Sequence, residues 1–215
     1  MNEQSFIFLI MEKGKTSVAK LGKNKGPKYK QIIDAAAEVI AEHGFHQAQV
    51  SKIAKKAKVA DGTIYLYFKN KEDILISLFR EKLSLYVAKV EEAINAQKSV
   101  EDKLFALVDM HFRNLSENQH WAIVTQLELR QSDKQLRAKI SEILKSFLKL
   151  LDNIIEEGKK EGIFAPDLDT RLARQMIFGT LDETVTTWVM KDRKYDLVAL
   201  ARPIHHLLLH GLKKN

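Results

Sequence analysis

Val59-Ala60-Asp61-Gly62-Thr63-Ile64-Tyr65-Leu66-Tyr67-Phe68, continued by Lys69-Asn70-Lys71-Glu72-Asp73, is the stretch that decides how this chain folds. The spacing predicts a short helix from about Asp61 to Phe68 that buries Ile64 and Phe68, followed by the lysine-bearing start of another helix. Asn70 is placed to cap that next helix, with Glu72 and Asp73 set against its positive end. Gly62 allows a close backbone approach, and hydroxyls of Thr63, Tyr65 and Tyr67 can donate to phosphate oxygens. Lys71 stands where exposed helix N–H groups already favour an anion. Taken singly, the tyrosines would equally suit packing and the lysines a solvated face.

Towards the amino terminus, Ile33, Ala36, Ala37 and Ile40 follow helical spacing until His43-Gly44, and Val50, Ile53, Ala54 and Ala57 form a second short stripe. Pro27 suits the first turn of the first helix, where its missing N–H costs nothing. Three short helices, the last two joined by a tight turn, have the proportions of a helix-turn-helix domain. Its candidate DNA contacts are Lys28 and Tyr29 on the first helix, Ser51 and Lys52 on the second, and Ala60, Asp61, Gly62, Thr63, Tyr65, Tyr67 and Lys71 around the third.

Beyond Asp73 the character changes. Leu75, Leu78, Phe79, Leu83, Tyr86 and Val90 extend a long fourth helix, and apolar stripes recur at helical spacing from Leu104 to Leu115, Trp121 to Leu127 and Ile140 to Ile154. The chain then turns through Gly158, Gly162 and Pro166 into two helices over about 169–189 and 196–212, the last expected to kink at Pro203. No window alternates apolar and polar residues long enough for a strand, so the fold expected is all-α. Residues 1–26 read as a disordered basic arm, 27–73 as the DNA-binding domain, and 74–215 as a larger helical domain.

The 215 residues are 45% hydrophobic, enough for a substantial core, and carry a net charge of +7 with a pI near 9.4. The excess is concentrated: residues 1–73 hold 13 Lys against 8 acids, and the remainder 22 basic against 20 acidic residues. Without cysteine, disulfides and thiolate metal sites are excluded, which suits a cytoplasmic location. The apolar run Phe6 to Met11 is too short to span a bilayer, and no membrane partner is expected. His205, His206 and His210 include an i, i+4 pair, but no cysteine or nearby acid completes a metal site.

The amino-terminal residues resemble the TetR family of one-component transcriptional regulators. The likeness runs from Ile32 to Leu78 through Ile33-Asp34-Ala35-Ala36, Gly44-Phe45, Val50-Ser51-Lys52-Ile53-Ala54, the segment Val59 to Phe68, and Asn70-Lys71-Glu72. Gln49 and Ala60 depart from it where Thr or Ser is usual, which weakens both caps, and Lys58 stands in place of a glycine. Trp121 to Ser132 and Arg171 to Met190 are similar to the acyl-CoA-responsive repressors of fatty-acid degradation within that family. That resemblance implies a homodimer on double-stranded palindromic operator DNA, released by long-chain acyl-CoA, with no cofactor, and makes residues 74–215 an effector-binding and dimerisation domain.

An acyl chain needs a long apolar tunnel, and Leu83, Leu104, Leu107, Val108, Phe112, Leu127, Phe147, Leu150, Leu151 and Phe178 are its candidate lining. At about 0.8 kcal/mol per buried methylene, such a tail could supply on the order of 10 kcal/mol before ordering costs. Arg113, Arg130 and Arg137 are candidates for the CoA phosphates, and His111 for a polar contact with the thioester or pantetheine. The same residues also fit plain core, surface ion pairs and a hydrogen-bonded core histidine. Asp182, Glu183 and Trp188 lie on a helix expected to help form the dimer. An acyl-thioester enzyme is the competing class, but no Gly-x-Ser-x-Gly turn, phosphate loop or paired-carboxylate motif is present. A regulator answering to a drug or free fatty acid remains a further alternative.

Overall fold

The computed structural model describes residues 26–213, and the basic arm expected over 1–26 lies outside these residues apart from Gly26. The described chain is helical throughout: α1 (Pro27–Gln47), α2 (Val50–Lys56), α3 (Asp61–Tyr65), α4 (Lys71–Asn95), α5 (Val100–Glu117), α6 (Gln119–Glu128), α7 (Lys134–Lys160), α8 (Thr170–Met190) and α9 (Ala201–Leu212). A 3-10 turn, Val198–Leu200, precedes α9.

Local chemistry explains most boundaries. Pro27 opens α1, while the side chains of Asn70, Ser99, Asp133 and Asp169 accept N–H bonds at the starts of α4, α5, α7 and α8. Gln49 and Ala60 supply no side-chain cap to α2 and α3. The helix expected from Asp61 to Phe68 ends at Tyr65, and Leu66, Tyr67 and Phe68 continue as a tightened turn bonded to the carbonyls of Thr63 and Ile64. Within α1 the break expected at His43-Gly44 is present: Gly44 is non-helical, at φ 72° and ψ 156°, and a separate short turn follows it to Gln47.

Pro203 requires a correction of a different kind. It falls in the first turn of α9, where a backbone N–H would have no intrahelical partner, so the expected mid-helix kink has no cause. The end of α7 is fixed by a close approach: the Phe164 ring covers Gly158, and a Cβ at Gly158 would lie 2.2 Å from Phe164 Cδ2.

The small domain packs Ile32, Ile33, Ala36 and Ile40 of α1 against Ile53, Ala54, Ile64 and Phe68, all buried. Helix α4 leads from it into the larger domain, where it packs on α5 and α7, while α8 and α9 close the far side. Helix α1 also packs along α6, so the two domains touch at a second place besides the α4 connection.

Candidate functional site

The structure offers two sites: the surface of α2 and α3, and a cavity in the larger domain. On the first, Ser51, Lys52, Ala60, Asp61 and Gly62 are exposed, Thr63 is half-buried, and Tyr65 is 59% exposed. Lys28 is exposed at the start of α1. Tyr29 is half-buried with its ring stacked on Phe68 at 5.2 Å, and Tyr67 lies 6.3 Å from Tyr29. These two tyrosines therefore combine packing with a polar edge, as amphipathic aromatics do. Lys71 is engaged within the protein: its Nζ donates to the His46 carbonyl at 2.9 Å and sits 4.7 Å from the Phe45 ring centroid. Leu66, which the sequence pattern did not single out, is 73% exposed just after α3.

The cavity lies among α4 to α8 and encloses about 50 Å³. Phe79, Leu83 and Tyr86 of α4, Phe147 and Leu144 of α7 and Phe178 of α8 give it an apolar wall. Polar atoms come from His111, Asn114, Thr125, Gln126 and Asp182. Of the lining expected from the sequence, Leu83, His111, Phe147 and Phe178 border this space. Leu104, Leu107, Val108, Phe112 and Leu151 are buried in the core beside it, and Leu150 is half-buried. Leu127 belongs to the outer surface, being 45% exposed. Phe79, Tyr86, Leu115, Trp121, Leu129 and Leu144 line the cavity but were not among the expected lining, because a helical stripe does not distinguish a cavity wall from filled core.

His111 is enclosed against Tyr86, Phe112 and Phe147, and its Nδ1 is 3.0 Å from the Tyr86 hydroxyl. Burial lowers its pKa to about 4, so the ring is neutral, and burial holds the Tyr86 phenol well above its ordinary value. A neutral imidazole beside a phenol can hydrogen-bond a carbonyl or amide without bringing charge into an apolar space.

Each candidate arginine has a partner. Arg113 binds Asp109 through Nε at 2.6 Å and NH2 at 3.1 Å, and Arg137 donates to the carbonyls of Gln131 and Ser132 at 2.7 and 3.4 Å. Arg130 pairs with Asp182, itself part of the cavity wall, which places this guanidinium at the cavity rim. His205, considered with His206 and His210, has its Nε2 3.0 Å from the Glu101 carbonyl oxygen.

Where α6 ends, a buried carboxylate joins the domains. Glu128 Oε1 accepts from the Phe45 N–H at 2.8 Å, and Oε2 accepts from Gln131 Nε2. The bend at Gly44 lies directly beneath: a Cβ there would be 4.0 Å from Glu128 Oε1.

A helix-turn-helix headpiece joined by one long helix to a helical domain with an internal cavity is the architecture of a ligand-responsive transcription regulator. Residues 32–78 match the family described as bacterial regulatory proteins, tetR family, and residues 79–211 match the YsiA-like protein, C-terminal region. The chain belongs to the tetR family of transcriptional regulators, which are not enzymes. It is 61% identical to the fatty acid metabolism regulator protein of Bacillus subtilis over 190 residues, covering 88% of this chain and 98% of that one. The fatty acid degradation regulator FadR of Bacillus halodurans superposes with a TM-score of 0.86 at 65% identity, covering 90% and 100% of the two chains. FadR of Bacillus subtilis in complex with stearoyl-CoA superposes with a TM-score of 0.83 at 61% identity, covering 86% and 99%.

Proposed function

We propose that this protein is a homodimeric repressor of fatty-acid degradation genes that binds palindromic operator DNA and lets it go when long-chain acyl-CoA enters the cavity. The observation that carries this reading is the apolar cavity among α4 to α8, in a chain 61% identical to a FadR whose structure holds stearoyl-CoA. No described helix is long and apolar enough to cross a membrane.

A cavity of about 50 Å³ is far smaller than an acyl chain, since even benzene fills a site of roughly 150 Å³. To be accommodated, the acyl chain must part the surrounding helices. Neutral His111 and the amides of Asn114 and Gln126 suit a thioester or pantetheine amide, while Asp182 disfavours the bare carboxylate of a fatty acid. Arg130, at the rim, is best placed of the three arginines to exchange Asp182 for a phosphate. Dimerisation is supported by Leu172, Met176 and Met190 on α8 and Leu207 on α9, large apolar side chains left exposed. Two headpieces about 34–36 Å apart would then meet successive major grooves.

The test is fluorescence anisotropy with operator duplex recovered by selection from random sequences. Stearoyl-CoA at micromolar concentration is expected to release the DNA, whereas stearate or CoA alone is not. Retention of DNA in all three arms rejects the reading.

A further inference from the structure

We propose that Glu128 is the latch through which the state of the cavity reaches the DNA-binding domain. The proposal rests on the acyl-CoA reading above and goes beyond it by assigning the transmitting contact. Glu128 is 5% exposed, and its two carboxylate oxygens are divided between the Phe45 N–H and the Gln131 side-chain amide. The bond to Phe45 spans 83 positions in sequence and joins the last residue of α6 to the bend of α1.

The same short segment forms part of the cavity. Thr125 and Leu129, on either side of Glu128, line it, and Arg130 pairs with the cavity carboxylate Asp182. A ligand that widens the space by pushing on Thr125 or Leu129, or by displacing Asp182, shifts the peptide that aims Glu128. A carboxylate shared between two buried donors tolerates little displacement, because a hydrogen bond weakens steeply with misalignment. The headpiece is then held in its DNA-competent orientation by α4 and by Glu128 together, and loses the second hold when the cavity fills. Gly44 contributes through its backbone, since its φ of 72° makes the bend that presents the Phe45 N–H to the carboxylate.

Reciprocity makes the latch testable. Breaking it favours the released state, so operator affinity must fall and acyl-CoA affinity must rise. In Glu128→Ala, operator binding is expected to weaken roughly ten-fold while stearoyl-CoA binds the DNA-free protein several-fold more tightly. Glu128→Gln keeps an acceptor oxygen for the Phe45 N–H, its new amide can donate to the otherwise unpartnered Gln131 Oε1 once that side chain turns over, and both affinities are expected to stay within about two-fold of wild type. Weaker operator binding with no gain for stearoyl-CoA would identify a structural prop and overturn the latch, as would unchanged values for both ligands. Hydrogen exchange at the Phe45 amide of the wild-type chain provides a measurement independent of folding defects. Exchange should accelerate about ten-fold or more with saturating stearoyl-CoA, and constant protection overturns the proposal. Wild-type protein that binds stearoyl-CoA and releases DNA with Phe45 unaltered removes the latch alone. Failure of the wild type to bind stearoyl-CoA removes the acyl-CoA reading as well.

Discussion

The Tyr86 hydroxyl and His111 Nδ1 meet at 3.0 Å in the wall of the cavity, where burial holds the imidazole neutral with a pKa of about 4 against an ordinary 6.5. Between those values the unfolded chain binds a proton at His111 that the folded protein does not, so stability must decrease as pH falls from 6.5 towards 4. The contribution reaches about 3 kcal/mol at the acid end. His111→Gln retains a hydrogen-bonding group without the titration and should flatten this part of the profile, measured by urea denaturation at a series of pH values.

Leu144 is half-buried on α7 and borders the cavity opposite the α6 segment. Leu144→Trp occupies the space an acyl chain would open, at an overpacking cost of about 1–3 kcal/mol. Stearoyl-CoA affinity is expected to fall roughly ten-fold, and operator affinity by a smaller factor, because a filled cavity also presses on the segment that carries Glu128. Titration calorimetry and operator anisotropy on one preparation separate the two, and equal losses in both would identify a folding defect.

Lys52 and Lys71 are both basic residues of the headpiece with different surroundings. Lys52 is exposed, whereas Lys71 is tied to the His46 carbonyl and the Phe45 ring. Lys52→Ala should lower the slope of log operator affinity against log salt by about 1 with little change in stability. Lys71→Ala should destabilise the protein by about 1–2 kcal/mol, because it unties α4 from the end of α1. A salt slope unchanged in Lys52→Ala would show that its ammonium meets no phosphate.

Lys58 has φ 53°, directly after α2, and the Val59 N–H closes the turn on the Ala54 carbonyl at 3.0 Å. This is a glycine position occupied by lysine. Lys58→Gly removes the left-handed strain but adds freedom to the unfolded chain, leaving a gain of about 0.5–1 kcal/mol in chemical denaturation. Operator affinity should fall slightly if the Lys58 charge assists DNA binding, a change visible in the same salt series.

Much of this architecture was legible in the residues because it is local. Asn70 caps α4, Pro27 opens α1, and Ile33, Ala36 and Ile40 mark one buried helical face, each within a few positions of its partner. Weak caps at Gln49 and Ala60 were legible too, whereas the end of the third helix at Tyr65 was not. The headpiece pattern and the stripes of the larger domain thus determined an all-helical fold with a helix-turn-helix part.

Tertiary structure decided which apolar residues face empty space and which polar groups meet across the domains. Leu83 and Leu104 have similar helical settings, yet only the first borders the cavity. Nothing near Glu128 in the chain announces the Phe45 N–H, 83 positions away, as its partner. A periodic pattern specifies a face, while a cavity or an interdomain bond depends on how several faces converge. That convergence is set by packing between helices distant in sequence.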